Sequence, residues 1–591
     1  MDLLSEYFKE ELIVKLLCGY RAKHCHRRHK LHMMRDISLH DSTKKIKIDN
    51  SNKEFEILRD IFPSRRNWVK LNQFERKKFD NSIVRAREML YKSYLCYKRK
   101  NFPIQHCEIW YQNLIKLVNS VKEKLEALDN YTMESPQIIG ILKKIDKNKT
   151  EYRPIAIYEL EDRIISSLSA RYLTDFFDQY FYDCSYAFRS SKNQERYTHH
   201  KSVAKILDYR KEKEVVYVAE CDIQKFFDTV NHEHIRKVFY QHIEFVKLRH
   251  DKIIDKKIVT IFDKFLNSFA FNKDVFPKNT DKSFWINNRL KENGYFKWIE
   301  KVLSDDYGVE YLNNRIGVPQ GNAISCFISN LLLHNVDSKV REVCSEIFYV
   351  RFCDDMILMH EDVDKCLNGL EVYKNELKNN YLFFHPPAAC DNYLTKENRK
   401  KFWRESKSKQ PYLWANPQEK VLAFPWLSFV GYQIKYDLNI RLRRDAVRKE
   451  KRKQVKEVQN VLKAIGTKQG NLNETSRKSK RQIIFSLQNR LNSMSVGRIK
   501  LHNYKAGKQG LCWTNGFEMI KGKRNKNISR QLKDLDSFRE KQIWRLKQNL
   551  KTLNKKSEKP DEMKQDIYFG SPYSYHNYLN DFKTPDATIK T

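Results

Sequence analysis

Apolar residues recur at two different periods along this chain, and the change from one to the other divides it. Near the N-terminus Leu4, Tyr7, Phe8, Leu12, Ile13 and Leu16 follow at spacings of three and four, which predicts a helix with one apolar face. The same period returns over 83–97 and 109–128. From Gln137 the pattern shortens. Ile138–Leu142 and Pro154–Tyr158 predict two strands joined by a lysine-rich turn, and a helix from Asp162 toward Phe177 follows. Val215–Cys221 is apolar and β-branched, as a buried strand is, and Phe226, Phe227, Val230 and Ile235 then take up helical spacing. Two segments between 241 and 314 read as helical insertions. Behind the loop Gly317–Gly321, Ala323–Val336 predicts an apolar helix. Ile347–Phe352 and Met356–Met359 predict a tight hairpin with Cys353, Asp354 and Asp355 at its turn. Pro425–Tyr436 reads as another hairpin, and Arg441–Ile465 and 481–494 as basic helices.

Composition narrows the class. With 591 residues, 41% hydrophobic and 13% aromatic, the chain can bury large cores and fold as several domains. Its 112 Lys and Arg stand against 74 Asp and Glu, a formal +38, which suits a polyanionic partner, either nucleic acid or an anionic membrane surface. No apolar run is long enough to span a bilayer, which excludes an integral membrane protein, and the absence of a secretory signal points to a cytoplasmic one. The 12 cysteines show no paired spacing, as expected of reduced thiols. His24, Cys25, His26, His29 and His32 imitate a zinc cluster, but Cys/His sites need a loop-separated pair at each end. A basic helix lying on phosphates fits this stretch better.

Candidate chemistry centres on the acidic pair. Asp354 and Asp355 at a turn suit either an ordinary surface turn or, joined by a third carboxylate, a site for two divalent cations of the kind that in-line phosphoryl transfer uses. Asp222, at the carboxyl end of the predicted strand, supplies that third acid, since a carboxylate there is costly to bury unless paired or metal-bound. Asp228 reads as a turn or helix-start acid. On the lysine-rich hairpin, Arg153 can clamp phosphate oxygens bidentately while Lys143 or Lys144 adds a point charge. Arg189 and Lys192 sit in a polar loop that suits a template backbone. Gly317, Pro319 and Gly321 constrain a loop from which Gln320 can reach a base-pair edge or the template.

The order of these segments, RPIAI, SYAFR, DIQKFFDTVNH, GVPQGNAIS, FCDD and LSFVGY over about 137–434, resembles a reverse transcriptase, closest in style to the bacterial group II intron and retron enzymes. FCDD stands where that family has tyrosine-x-Asp-Asp. The resemblance implies an α+β right-hand polymerase with an antiparallel palm sheet: a helical N-terminal extension over 1–130, fingers over 131–214, a palm over 215–436 with a helical insertion near 241–314, a helical thumb and C-terminal region over 437–555, and a Tyr-rich tail over 556–591. It implies two Mg²⁺ ions, with Mn²⁺ as the alternative, held by Asp222, Asp354 and Asp355. Lys143, Lys144, Arg153, Phe227 and Gln320 would meet the nucleotide, and Arg189, Gly321 and Gly431 the template and primer. Phe227, five residues after Asp222, would exclude a ribose 2′-hydroxyl. RNA, deoxynucleotides and a DNA product are the implied partners, with a partner protein or a second copy as further options, and a free-standing chain of this kind resembles the defence-associated (antiviral) enzymes.

Two departures from the family stand out. A lysine expected after the acidic hairpin is absent from YLFFHPPAAC, which offers His385, either as a substitute proton donor or as a loop histidine. The span 241–314 exceeds what a compact palm connection needs. No Cys/His nuclease module or protease motif is present. Basic, aromatic residues including Trp513, Phe517, Phe538 and Trp544 continue over 500–553, and Tyr568, Tyr573, Tyr575 and Tyr578 mark the tail, as self-priming hydroxyls or as a docking strap. An RNA-dependent RNA polymerase and a catalytically silent RNA-binding scaffold are the competing functions.

Overall fold

The computed structural model describes residues 4–37, 53–79, 82–146, 148–190, 197–307, 313–393, 401–403, 405–417, 422–465, 480–495, 526–551 and 573–574. The main helices and strands run in this order: α1 (Glu10–Ile37), α2 (Ser82–Lys98), α3 (Ile109–Glu126), β1 (Gln137–Ile145), β2 (Thr150–Ile157), α4 (Leu160–Phe177), α5 (His199–Glu212) and β3 (Tyr217–Cys221). Then come α6 (His232–His250), α7 (Lys256–Asn267), β4 (Gly294–Phe296), α8 (Ala323–Val343), β5 (Phe348–Phe352), β6 (Asp355–His360), α9 (Val363–Asn379), β7 (Lys409–Leu413) and β8 (Trp426–Phe429). Last are β9 (Tyr432–Lys435), β10 (Ile440–Leu442), α10 (Arg444–Ile465), α11 (Lys480–Ser495) and α12 (Lys526–Lys551). It is a helix-rich α+β protein with small sheets. The chain divides into two compact units, one of residues 1–13 and 117–430, the other of 14–116 and 431–591.

The first unit is built on a four-stranded antiparallel sheet of order β5-β6-β3-β7. Its register sets Val218 opposite Met359 and Cys221 opposite Met356, so the strand that ends at Asp222 lies beside the strand that begins at Asp355. Val218, Ala219, Leu358 and Met359 are fully buried, since α9 packs on β3 and β6 and α8 packs on α9. One buried ion pair ties this sheet to the helices behind it. Arg351 on β5 and Asp337 on α8 are both 0% exposed, joined by Nε to Oδ1 at 2.7 Å and Nη2 to Oδ2 at 2.7 Å. Tyr349 donates to the same carboxylate at 2.7 Å, and Asn330 accepts from Arg351 at 3.1 Å. Asn330 in turn donates to the carbonyl of Ala187 at 2.8 Å, while the Arg351 backbone bonds Cys184 and Tyr186 on either side.

A second sheet carries β1-β2-β4. β1 and β2 pair antiparallel, with a bulge at Leu142/Lys144, and β4 adds in parallel, Thr150 opposite Gly294. This strand corrects the helical expectation for 241–314: α6, α7 and two short helices are there, but the segment also completes a sheet. Three residues are too few to show a period of two, and Gly294 is required because a Cβ there would run into the Trp285 ring. Ile138, Tyr152, Phe271, Trp285 and Phe296 form the core beneath.

In the second unit β9 and β10 form an antiparallel pair that precedes α10, so the helix expected from Arg441 starts at Arg444. Val458, Val461, Ile465, Leu487, Leu546 and Leu550 join α10, α11 and α12 in one apolar core. His24 Nε2 lies 2.9 Å from Glu54 Oε1, and among the described residues no three His, Cys, Asp or Glu side chains come close enough to hold a metal ion. No described helix is long and apolar enough to cross a membrane. Eleven cysteines lie in the described residues, all free. Lys192, Trp513, Phe517, Tyr568, Tyr575 and Tyr578, and the side chains of His29 and His32, fall outside the described residues.

Removing one partner of a fully buried ion pair strands the other charge. Arg351→Ala is therefore expected to cost about 3–5 kcal/mol, read as a lower urea midpoint at an unchanged slope; a loss under about 1 kcal/mol would show the pair to be dispensable.

Candidate functional site

Asp222 emerges from the end of β3 with its backbone held on both sides. Its N–H donates to Ser408 Oγ at 2.9 Å, and its carbonyl accepts from the His385 N–H at 3.0 Å. Phe352 pairs with Asp355, so the turn of the acidic hairpin is Cys353 and Asp354 alone, and Asp355 is already the first residue of β6. Cys353 takes φ +59°, a left-handed conformation that costs a non-glycine residue about 1 kcal/mol and aims the next side chain away from the strand. Asp222 and Asp354 line one cavity of about 720 Å³. Burial pushes the Asp354 carboxyl above the usual carboxylate range, and the charge of Asp222 adds to that. Asp355 is exposed and does not line the cavity, so the expected set of three carboxylates is here a facing pair with the third acid beside it.

Cations ring the rest of the cavity. Lys143, Lys144, Arg153, Lys225, Lys297 and Lys407 all contribute to its wall, against Glu151, Asp222, Asp228 and Asp354. Lys143 is paired with Glu151 at 2.8 Å and Lys144 with Asp146 at 2.7 Å. Arg153 is exposed on β2, and its side chain has no ion pair or hydrogen bond among the described residues, leaving its planar fork of donors for an outside anion. Lys297, just past β4, is placed by the inserted segment, which no sequence pattern assigned to the site.

Phe227 and Gln320 are held by the same short stretch. The Phe227 ring is partly exposed on the cavity wall, edge-on to Phe226 at 5.3 Å, and its carbonyl accepts from Val318 at 2.7 Å. Gln320 Nε2 donates to Asp228 Oδ1 at 2.5 Å. Asp228, expected to be a plain helix-start acid, is fully buried: Lys225 Nζ lies 3.5 Å away and Trp298 donates to its carbonyl at 2.9 Å. Burial pushes its carboxyl up, and Lys225 pulls it back. Gly317, at φ +88°, closes this knot, since a Cβ would stand 2.5 Å from Phe271 and 2.9 Å from the Asp228 carbonyl. Gly321 also has positive φ, +94°.

One expectation needs correction. The Arg189 side chain is only 3% exposed, and all five guanidinium N–H groups are spent on Asp178 and on the carbonyls of Asp178, Phe181, Tyr182 and Ser185, so it shapes the SYAFR loop and has no donor left for a template phosphate. Gly431 has nothing within 4 Å of where its Cβ would stand, and its φ of +92° is what calls for glycine. A lysine from farther along the chain stands beside Asp222. Lys407 Nζ lies 3.2 Å from Asp222 Oδ2 and 3.0 Å from His385 Nε2, and His385 itself stands 3.6 Å from the same carboxylate. Burial, followed by the Lys407 charge, holds the His385 imidazole below its ordinary value. A residue 22 positions downstream of His385 and outside any recognised segment leaves no local signal to find it by.

The family model for reverse transcriptase (RNA-dependent DNA polymerase) matches residues 143–387. The chain thus carries a reverse transcriptase domain, the catalytic domain of an RNA-directed DNA polymerase, and Lys407 lies beyond the matched span. No curated protein sequence matches the chain. Among solved structures it is similar to telomerase from Candida albicans in complex with a TWJ fragment of telomeric RNA, at 14% identity and a TM-score of 0.32 over 86% of this chain and 78% of that one. It is also similar to apo telomerase from Candida tropicalis, at 11% identity and a TM-score of 0.31 over 79% and 74%.

The loop bearing Gln320 has a built-in acid sensitivity. His232 is 1% exposed, bonds the Gly317 carbonyl at 2.7 Å, and is driven down to about 4 by burial. Between about pH 6.5 and 4 the unfolded chain binds a proton at this position that the folded chain does not, so stability falls as pH falls, by about 2 kcal/mol at pH 5 from this residue alone. Urea midpoints at pH 7 and 5 should diverge less in His232→Gln than in the wild type; an equal divergence would remove His232 from the account.

Proposed function

We propose that the reverse transcriptase domain extends a nucleic-acid primer with deoxynucleotides on an RNA template, and that the 720 Å³ cavity is where the nucleotide reacts. One observation carries this reading: Asp222 and Asp354 face the same space as Arg153, Lys143, Lys297, Phe227 and Gln320. In the terms of a right-hand polymerase, β1-β2-β4 would be fingers, the β5-β6-β3-β7 sheet a palm, and α10 to α12 a thumb.

The residues suit a divalent cation. Two carboxylates share a space, burial and mutual repulsion already strain Asp354 toward its neutral form, and a lysine ammonium stands against Asp222 where a cation is wanted. Mg²⁺ binds through one or two carboxylates completed by substrate phosphates and water, and needs no all-protein cage. Asp222 and Asp354 would hold it, with Asp355 beside them. When bound, such ions lower the pKa of the primer hydroxyl and stabilise charge on the departing pyrophosphate. Arg153 would clamp phosphate oxygens in pairs, with Lys297 adding charge from the end of the neighbouring strand β4. Asp228 holds the Gln320 amide so that its oxygen is left to accept from the nucleotide or template. The exposed face of Phe227 would occupy the room that a ribose 2′-hydroxyl needs.

A bacterial origin, a cytoplasmic location and a role in anti-phage defence are supported by the resemblance to group II intron and retron enzymes, and phage plating on hosts expressing the chain or its Asp354→Asn form tests the last. The enzymatic reading is tested by primer extension with labelled nucleotides. Asp354→Asn is expected to abolish Mg²⁺-dependent incorporation, by at least 10³-fold, while RNA binding persists, and Phe227→Ala to raise ribonucleotide use. Incorporation unaffected by Asp354→Asn would overturn the assignment, and an unchanged sugar preference would remove Phe227 from it.

A further inference from the structure

The helical second unit contains a small polar cleft that the polymerase reading does not use. Asp536, on α12, is 4% exposed, a position at which a carboxylate without partners is strongly unfavourable. Its partners come from 37 residues away. The backbone N–H of Tyr573 donates to Oδ1 at 2.8 Å, the N–H of Ser574 to Oδ2 at 2.9 Å, and the Ser574 hydroxyl to Oδ2 at 2.7 Å. One carboxylate thus takes two successive main-chain donors and a side-chain hydroxyl. The Tyr573 side chain is 0% exposed; its hydroxyl donates to Glu450 Oε1 at 2.8 Å and accepts from Gln454 Nε2 at 3.1 Å, both on α10. Gln454 is itself fully buried and also donates to the Leu535 carbonyl at 3.4 Å.

These contacts read a sequence rather than a surface. The two successive N–H groups, aimed at one carboxylate, demand a turn in the main chain, as residues 573–574 form; the slot between α10 and α12 demands a large ring, and Glu450 with Gln454 demands a hydroxyl at the ring's far end. Phenylalanine would remove one hydrogen bond from each, and any residue but serine or threonine at the next position would lose the third donor to Asp536. We propose that the cleft between α10 and α12 is a peptide-binding site specific for a Tyr-Ser step, and that the chain fills it in cis with its own Tyr573 and Ser574. Neutral donors from Tyr573 and Ser574 bond Asp536, and the Arg539 charge adds to them, so the site takes a hydroxyl-bearing peptide that needs no charge of its own. Burial pushes the Asp536 carboxyl up, and the donors from Tyr573 and Ser574 pull it back, which makes the occupant part of what keeps the acid ionised. Covalent attachment gives the tail a high effective concentration at the cleft, so a separate peptide must compete with it. The Tyr573 hydroxyl, enclosed and engaged, is a recognition element here and not a free primer.

The test uses the full-length chain and a fluorescein-labelled peptide of the sequence Gly570–His576. A chain with Tyr573→Ala and Ser574→Ala, its cleft emptied, is expected to bind the peptide in a saturable anisotropy titration, whereas the wild type, already filled, should need at least tenfold more. Adding Asp536→Asn to the emptied chain should weaken binding at least tenfold. Failure of the emptied chain to bind, or equal binding by all three, overturns the proposal. Should the double variant not fold, as judged by its far-UV spectrum, Tyr573→Phe serves in its place: limited chymotrypsin digestion should release the C-terminal residues several-fold faster than in the wild type, and an equal rate overturns the proposal.

Discussion

The buried pair of Arg351 and Asp337 is the interaction on which the rest of the catalytic unit depends. Three elements meet at it: strand β5, whose far end is the acidic turn; helix α8, which carries Asp337 and Asn330; and the loop around Ser185, tied by Asn330 and by main-chain bonds to Arg351. An ion pair out of water contributes little net stability, because desolvation offsets most of the attraction. Its effect is on geometry. With Tyr349 and Asn330 satisfying the remaining lone pairs and N–H groups, only one arrangement of strand, helix and loop leaves no charge unanswered, and Asp354 is delivered from a fixed base. Arg189 does the same work nearby, tying the end of the SYAFR segment to five acceptors on Asp178, Phe181, Tyr182 and Ser185.

On that base the site concentrates strain and charge. Cys353 and Lys225, the residues just before Asp354 and just before the Phe226–Thr229 helical turn, both adopt left-handed backbone without being glycine. Departures from local preference collect where surrounding structure can enforce them, and here both lie in or beside the cavity wall. The same wall brings two acids together in a partly dry space, with Lys407 as the only side chain shown paired to Asp222 besides His385 among the described residues. The Lys407 side chain is 61% exposed and meets Asp222 and His385 only through its ammonium, an arrangement that contributes little net energy.

Much of this was legible in the sequence, and for identifiable reasons. The strand ending at Asp222, the acidic hairpin, the glycine loop and the Arg153 hairpin each have a local pattern, and local patterns are what periodicity reports. Even the partition of the hairpin was off by one, because nothing local distinguishes a three-residue turn from a two-residue turn whose next residue pairs. What could not be read were side chains whose roles depend on distant partners. Arg189 has the composition of a phosphate contact, and only the fold reveals the five acceptors around it. Lys407 and Lys297 arrive from an unpatterned segment and from a strand of three residues. Asp228 looks like a helix-start acid until Gln320, 92 positions away, is seen to lean on it. Tyr573 and Ser574 find Asp536 by tertiary contact alone.

The central claim is that Asp222 and Asp354 together hold a divalent cation in company with a nucleoside triphosphate. It is tested most directly by titrating Mn²⁺ into the protein and following free Mn²⁺ by electron paramagnetic resonance, with and without a non-hydrolysable deoxynucleoside triphosphate. The account predicts weak binding alone, binding tightened at least tenfold by the triphosphate, and loss of that gain in Asp222→Asn and Asp354→Asn. A triphosphate-dependent gain that survives both substitutions, or no gain in the wild type, would contradict it.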